Sequence, residues 1–272
     1  MLQVQKVLTL ADNPGLQPYI TLRRPHEHQQ QGIFVAEGEK VVRRMLESNF
    51  PVISVLSDEK WLANLRPLLE ARPETITVYL ASKQMLESMV GFEMFQGILA
   101  VGKIPAPVSL AEVLKNTPRP LLLTAVDEIG NAENLGLLVR NCAAFHVQAL
   151  LVGETSSSPF LRRAVRNSMG TIFQLPIVET KSLVESLREL KRHDVRCIAA
   201  HPHVSGRTLA QADFTGDCCV VLGNEGKGIS PAVLAECDDA VAIPMPPKVD
   251  SLNVGAATAV FLYEANRQRG KI

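Results

Sequence analysis

Asn134 and Arg140, in the segment DEIGNAENLGLLVRN at residues 127–141, are the first side chains that could take part in binding or catalysis. An apolar run at 121–126 predicts a buried strand before it, and an amphipathic pattern predicts a helix over 132–145. Asn134 is the predicted N-cap, because its side chain can accept a free backbone N–H. Arg140 is predicted on an otherwise apolar face, where an arginine is costly unless it meets a carboxylate or a phosphate. A structural ion pair and an anion-binding role both remain open for Arg140.

A glycine-rich loop is the second candidate. Residues 220–231 read VVLGNEGKGISP, so three glycines follow a buried strand and lead into a Ser-Pro helix start. Such a loop lets backbone groups approach a ligand closely. It fits neither common phosphate-binding pattern, because Gly228 is followed by Ile229 rather than lysine and G-x-G-x-x-G is absent. Taken alone, the pattern predicts a tight loop.

The third candidate is residues 243–255, IPMPPKVDSLNVG, where a proline-rich stretch leads into a helix start. Ser251 is the predicted cap of the long helix at 252–268. Asn253 then needs another partner, because a buried amide without one costs about 1–3 kcal/mol.

Alternating strands and helices must position these three segments. After residue 120, apolar runs at 121–126, 149–153, 195–200, 218–223 and 240–244 alternate with helical patterns. This order predicts an α/β domain built on a parallel sheet with helices on both faces. Ligands of such sheets lie at the carboxyl ends of the strands, which is where the three segments begin. Shorter elements in the first 105 residues predict a small α/β unit.

A proline-rich stretch at 103–120 separates the two regions. We therefore predict a first domain at 1–105, a linker with one short helix at 106–118, and a second domain at 119–272.

The net charge of the whole chain gives no support to nucleic-acid binding. Lys and Arg number 28, Asp and Glu also number 28, and the formal net charge is zero. Any RNA site must therefore be a local basic patch. Two clusters are candidates for phosphate contacts, and each has a solvated helix face as its alternative. They are Arg23 and Arg24 in the first region, and Arg162, Arg163 and Arg166 in the second.

The 5 cysteines show no metal-binding spacing, so no metal site is predicted. No apolar run is long enough to span a bilayer, and the N-terminus does not resemble a secretion signal. We expect no membrane partner and a cytoplasmic location.

In this order, the three segments resemble the motifs of the SpoU/TrmH family of RNA methyltransferases. N-L-G-x-x-x-R occurs at 134–140, L-G-N-E-G-x-G-I-S at 222–230 and I-P-M-x-x-x-x-x-S-L-N-V at 243–254. The resemblance covers residues 121–265. Shorter pieces, GIFVAEGEKVV from residue 32 and FQGILA from Phe95, are similar to the RNA substrate-recognition domain that precedes the catalytic domain in many members.

The resemblance implies a SPOUT-type fold with a trefoil knot in the second domain. It also implies S-adenosylmethionine as cofactor and 2′-O-methylation of a ribose in ribosomal or transfer RNA. Family members are typically homodimers, and the active site is completed across the subunit interface.

Individual roles follow from the same resemblance. The implied catalytic set is Asn134, Arg140, Glu225, Ser251 and Asn253. The implied cofactor pocket consists of Ala200, His201, Leu222, Gly223, Asn224, Gly228, Ile243, Met245, Ser251 and Leu252. Four positions depart from the usual pattern. Asn141 stands where Ser or Thr is common, Pro246 and Pro247 fill positions that often hold smaller or polar residues, and Gly255 replaces another small residue.

Two other classes of protein remain alternatives. One is a non-catalytic RNA-binding or ribosome-assembly protein that keeps the fold, and the complete polar set argues against it. The other is a nucleotide-dependent α/β enzyme such as a dehydrogenase, and the missing phosphate-binding patterns argue against that.

Overall fold

The structure is a computed structural model of the 272-residue chain, and it describes residues 1–7, 13–91, 93, 96–202 and 207–272. The strands are β1 (Leu2–Lys6), β2 (Ile33–Glu37), β3 (Val52–Ser57), β4 (Ile76–Leu80), β5 (Ile98–Lys103), β6 (Leu122–Val126), β7 (Ala149–Val152), β8 (Ile177–Glu179), β9 (Arg196–Ala200), β10 (Arg207–Thr208), β11 (Cys218–Leu222) and β12 (Asp239–Ala242). The helices are α1 (Gln17–Ile20), α2 (Pro25–Gln30), α3 (Glu39–Leu46), α4 (Glu59–Glu70), α5 (Lys83–Val90), α6 (Leu110–Asn116), α7 (Ala132–Ala144), α8 (Arg162–Asn167), α9 (Leu183–Arg192), α10 (Pro231–Leu234) and α11 (Val254–Gln268).

The described chain forms two compact units. The first contains Met1–Ala106 and Pro159–Phe173, and the second contains Pro107–Ser158 and Gln174–Ile272. Of the pieces that resemble a recognition domain, Phe95 lies outside the described residues. None of the described helices is long and apolar enough to cross a membrane.

The first unit is built on a mixed five-stranded sheet with the order β1-β4-β3-β5-β2. β1, β4 and β3 run parallel, whereas β5 is antiparallel to both β3 and β2. All five residues of β2 are buried although β2 lies at a sheet edge. The helices α2, α3 and α8 cover this strand, so its apolar side chains are removed from water.

The segment Pro159–Phe173 packs within the first unit, although the predicted boundaries place it in the domain at 119–272. Its Phe160 and Phe173 rings lie 5.8 Å and 5.7 Å from the ring of Phe34, measured between centroids. Phe173 also lies 5.2 Å from Phe50. Burial of large aromatic rings is a strong packing contribution, and it ties this segment to the core of the first unit.

The second unit is built on a seven-stranded sheet with the order β10-β12-β9-β11-β6-β7-β8. Every pairing in it is parallel, as predicted for this region. All residues of β6, β7 and β11 are buried, which explains why these strands appear in the sequence as continuous apolar runs. The carboxyl ends of β6, β9, β11 and β12 reach the same sheet edge. The order of the strands in the sheet differs from their order in the chain and is consistent with a threaded chain. The trefoil knot stays a prediction.

The stretch predicted as a linker contributes to the second unit. α6 begins at a Ser109 capping box with Glu112, and it buries Leu110 and Val113 in the core under the parallel sheet. The assignment of RNA recognition to the first domain and catalysis to the second, with a linker between them, stays a prediction.

Candidate active site at the carboxyl edge of the parallel sheet

The start of α7 leaves the Asn134 side chain available for long-range contacts. Asn131, not the predicted Asn134, caps the helix: its Oδ1 accepts from the backbone N–H of Glu133 at 2.7 Å and of Asn134 at 3.3 Å. The prediction was wrong because both asparagines suit a cap and Asn131 stands one turn earlier. Asn134 Nδ2 instead donates to Glu225 Oε1 at 2.7 Å, and Asn134 Oδ1 accepts from Asn253 Nδ2 at 3.1 Å. One side chain therefore joins all three predicted segments.

The loop after β11 is closed by its own backbone and by Asn224. Asn224 and Gly228 exchange two backbone hydrogen bonds of 2.9 Å. Asn224 Oδ1 accepts from the N–H groups of Gly226 at 2.9 Å and Lys227 at 3.0 Å. A Cβ at Gly223 would lie 2.3 Å from the carbonyl carbon of Gly228, so only glycine fits there. The loop is thus a rigid turn that exposes backbone groups at the sheet edge.

Asp127 connects this loop to the end of β6. Its carboxylate is buried, and Oδ2 accepts from the backbone N–H of Ser230 at 2.8 Å. Its own N–H donates to Leu222 O at 2.8 Å, which extends the strand pairing by one bond. No role was predicted for Asp127. An acidic residue directly after a buried strand, at the ligand edge of the sheet, was the available signal.

Asn253, rather than the predicted Ser251, caps α11. Asn253 Oδ1 accepts from the N–H of Gly255 at 2.9 Å, while its Nδ2 reaches Asn134. One asparagine therefore serves both as cap and as a link to α7. Ser251 is exposed and lies at the wall of a cavity, where its hydroxyl is not used as a cap.

A cavity of about 190 Å³ opens beside this network. All ten residues of the implied cofactor pocket line it, and so does Glu225. Several further lining residues were not predicted, and most of them are apolar or belong to the glycine-rich loop: Pro202, Gly226, Lys227, Val241, Val254, Ala257 and Phe261. The strand ends and α11 supply apolar walls, and the loop supplies backbone groups. This combination suits a flat apolar ring system that carries polar edges.

Arg140 occupies the solvent side of α7. The predicted apolar face is wrong, because Leu138, Val139 and Cys142 are the buried positions and Arg140 is exposed. Within the described part of the chain, the Arg140 side chain makes no hydrogen bond or ion pair with a protein group. It lies six residues from Asn134, about 9 Å along the helix axis. The structure thus joins three of the five implied catalytic residues directly, places Ser251 at the cavity wall, and leaves Arg140 open to solvent.

In the first basic cluster, both arginines are exposed. Arg23 donates to Gly91 O at 3.2 Å, and Arg24 forms a 3.1 Å ion pair with Glu27 one turn away. Such surface pairs are weak, so a phosphate can compete for either guanidinium. Their contact with RNA stays a prediction.

In the second cluster, two arginines share one carboxylate of the first unit. Arg162 pairs with the buried Glu37, and its own side chain is only 17% exposed. Arg166 pairs with the other oxygen of Glu37 at 2.8 Å and remains 57% exposed. Arg163 is exposed. The solvated-face alternative therefore does not describe Arg162, which is held in the structure, and RNA contact by this cluster stays a prediction.

The residues that the structure describes contain no group of three His, Cys, Asp or Glu side chains placed to hold a metal ion. The five cysteines are free thiols, and four of them are buried. Burial raises the pKa of the Cys142 thiol to about 12. These thiols are packing residues rather than nucleophiles.

Comparison with known proteins identifies the family. The model of the SpoU rRNA Methylase family matches residues 122–263. The chain belongs to this family. An uncharacterised tRNA/rRNA methyltransferase of Mycobacterium tuberculosis is 33% identical over 264 residues, which cover 94% of this chain and 90% of that protein. A 23S rRNA (guanosine-2′-O-)-methyltransferase of Acinetobacter baylyi is 32% identical, over 75% of this chain and 84% of that protein.

A solved SpoU methyltransferase has the same fold. The crystal structure of AviRb from Streptomyces viridochromogenes in complex with AdoMet superposes with a TM-score of 0.81 at 26% identity. The match covers 95% of this chain and 98% of that one. The predicted resemblance to SpoU methyltransferases and the predicted α/β fold class are confirmed.

Proposed function

We propose that this SpoU methylase transfers a methyl group from S-adenosylmethionine to a ribose 2′-hydroxyl in ribosomal or transfer RNA. The protein is an RNA methyltransferase by family, and its cofactor is S-adenosylmethionine, which the AviRb complex contains. The ribose as methyl acceptor is the finer part of the proposal. Its main support is the network in which Asn134 joins Glu225 at 2.7 Å and Asn253 at 3.1 Å beside the cavity.

The cavity residues fit the cofactor. Leu222, Ile243 and Leu252 offer apolar surface to a purine, and the loop at Gly223 leaves space for close backbone approach. When bound there, S-adenosylmethionine supplies an electrophilic methyl group on a positively charged sulfur. A pocket with apolar walls excludes water from that charge and favours transfer of the methyl group, because the sulfur loses its charge as the methyl group leaves.

Arg140 is proposed to bind and orient the RNA rather than to remove a proton. A guanidinium with a pKa above about 12 stays charged at neutral pH and is a poor base. Its planar donors match a phosphate, so it can fix the nucleotide and polarise the hydroxyl next to that phosphate. The proton then passes to a phosphate oxygen or to water. Holding the two reactants in one cleft contributes much of the acceleration.

We extend the proposal to a homodimer formed through α7 and α11. These helices pack against each other and expose the apolar side chains of Leu137, Val260 and Tyr263, the last at 52%. Apolar surface of this kind favours an interface. Because Arg140 is on α7, such a dimer would bring it to the cavity of the partner subunit. Sedimentation of the wild type and of Tyr263→Glu tests this, and a monomeric wild type with full activity would contradict it.

Ribosomal RNA is the first substrate to test, because the Acinetobacter relative acts on 23S rRNA and carries the 2′-O activity in its name. We place the enzyme with that RNA in the cytoplasm. Transfer RNA is the second substrate, since the mycobacterial relative is described for both.

The deciding experiment incubates the purified protein with tritiated S-adenosylmethionine and RNA from cells that lack the gene. Resistance of one phosphodiester bond to alkaline hydrolysis then maps the modified ribose. We expect one site to become resistant and to carry the label. Label on a base would overturn the ribose assignment. Binding of cofactor and RNA without any transfer would favour the non-catalytic alternative.

A further inference from the structure

Two of the positions that depart from the usual motif pattern, Asn141 and Gly255, contact each other. Asn141 Nδ2 on α7 donates to the backbone carbonyl of Gly255 in the first turn of α11 at 2.7 Å. A Cβ on Gly255 would lie 2.5 Å from Leu137 Cδ2, also on α7. The missing side chain at Gly255 therefore permits the close helix approach that brings Asn141 within hydrogen-bonding distance.

Asn141 and Asn134 lie on one stripe of α7. They are seven residues apart, nearly two full helical turns, and Leu137 lies between them on the same side. Asn134 contacts Asn253 and Asn141 contacts Gly255, so three α7 residues contact the first turn of α11. We call this contact the α7–α11 clasp: Asn134, Leu137 and Asn141 with Asn253 and Gly255.

We propose that Asn141 is a positioning residue for Arg140. The inference rests on the proposed function, because Arg140 is the phosphate-binding group there. Arg140 precedes Asn141 directly and therefore points about 100° around the helix from the clasp. The clasp fixes the rotation of α7 about its axis, and a rotation of about 10° moves an arginine tip by roughly 1 Å. A misplacement of that size can cost a large factor in rate.

Asn266 offers a matched control on the same helix pair. Its Nδ2 donates to the backbone carbonyl of Phe145 at 2.8 Å, which ties the last turn of α11 to the end of α7. The contact has the same chemistry as the one made by Asn141, and Asn266 is fully buried. Asn266→Ala should lower the melting temperature more than Asn141→Ala does. It should leave kcat unchanged, because the Asn134 and Asn141 contacts remain.

The test compares Asn141→Ala, the isosteric Asn141→Asp and Asn266→Ala in the full chain. We expect Asn141→Ala to lower kcat roughly three- to tenfold, the range that one hydrogen bond explains, with the cofactor Kd within about twofold of wild type. Asn141→Asp should fold and lose at least as much, because a carboxylate oxygen would face the Gly255 carbonyl. An unchanged kcat in both Asn141 variants, or an equal loss in Asn266→Ala, overturns the proposal.

A second measurement separates this proposal from the proposed function. Hydrogen exchange needs no RNA, and it should show faster exchange in the first turn of α11, around Gly255, for Asn141→Ala but in the last turn of α11 for Asn266→Ala. A wild type that transfers no methyl to RNA ends the proposed function, and the exchange pattern still decides whether the clasp exists. A wild type that is active, with identical exchange in both variants, ends the clasp alone.

Discussion

The two units use their polar side chains in different ways. In the second unit, Asn134, Glu225 and Asn253 come from three separate segments and bond to one another at the rim of a cavity. In the first unit, Arg162 and Arg166 pair with the buried carboxylate of Glu37. These three side chains of the second unit thus border a cavity, whereas these charged side chains of the first unit neutralise each other. A binding role is therefore expected for the side chains that border the cavity, and a structural role for the arginines that pair with the buried carboxylate.

The largest expected effect is at Arg140, an exposed cation of the second unit. Arg140→Ala should lower kcat at least about 100-fold, because a charge that binds the RNA phosphate is lost from the site. The cofactor Kd should stay within about twofold, since Arg140 is not among the cavity residues. Single-turnover methyl transfer and donor titration measure the two quantities. Arg192→Ala, at the exposed end of α9, is the control, and an equal loss of donor affinity in Arg140→Ala would contradict the assignment.

Substitution of Glu37 tests whether its pairs with Arg162 and Arg166 stabilise the first unit. Glu37→Ala leaves Arg162, only 17% exposed, without its carboxylate, and this should cost about 2–3 kcal/mol of unfolding free energy. The loss is at the lower end for a buried pair because Arg166 remains 57% exposed. Cofactor affinity should not change, since the cavity belongs to the second unit. Denaturant unfolding and donor titration provide the two values.

Glu39→Ala is the matched control, because Glu39 pairs with Arg43 one helical turn away and both side chains are partly exposed. It should cost less than about 1 kcal/mol. Equal destabilisation by both variants would mean that the Glu37 contacts contribute no more than a surface pair. Glu37→Gln keeps the shape of the side chain and separates charge from packing.

Gly223 tests whether the glycine-rich loop is as rigid as its contacts suggest. In Gly223→Ala the new Cβ would lie 2.3 Å from the Ile229 nitrogen, so the loop has to move, at a cost of about 1–3 kcal/mol. We expect the cofactor Kd to rise about tenfold, measured by calorimetry. Gly216→Ala at the other end of β11 has open space for its Cβ and is the control. An unchanged Kd in Gly223→Ala would show that the loop can adapt.

How much the sequence predicts follows from burial. β6, β7 and β11 were predicted because each is a fully buried apolar run between helices. β1 was missed because four of its five residues are exposed and LQVQK carries no apolar run. β10 has only two residues and leaves no pattern. The meeting of the three motif segments was predicted from the rule that strand ends share an edge.

Side-chain partners were less predictable. The caps at Asn131 and Asn253 were missed because another capping residue stands within three positions of each, and local backbone geometry decides between them. The pair between Arg162 and Glu37 joins positions 125 residues apart, and no local pattern reports it. Arg140 was placed on the wrong face because one apolar stripe on α7 wraps far enough to suggest burial on both sides.

The smallest expected effect is the change in RNA affinity on substitution of Arg23 or Arg24. Both arginines belong to the first unit, yet Arg24 has only an exposed pair with Glu27, and Arg23 contacts a carbonyl rather than a carboxylate. If either meets RNA phosphate, Arg23→Ala or Arg24→Ala should each reduce the slope of log Kd against log salt concentration by about 1. Affinity would fall a few-fold at moderate salt, with no change in kcat, because neither residue belongs to the second unit.

Arg66→Ala is the matched control for this measurement, since Arg66 also forms an exposed pair, with Glu70 on α4. Filter binding of the RNA substrate over a range of salt concentrations gives the slope for each variant. A reduced slope in Arg23→Ala and Arg24→Ala but not in Arg66→Ala assigns a defined phosphate track to the first unit. The same reduction in all three variants would mean that the first unit attracts RNA only by diffuse charge. The RNA-bound position would then be set by the second unit alone, through Arg140.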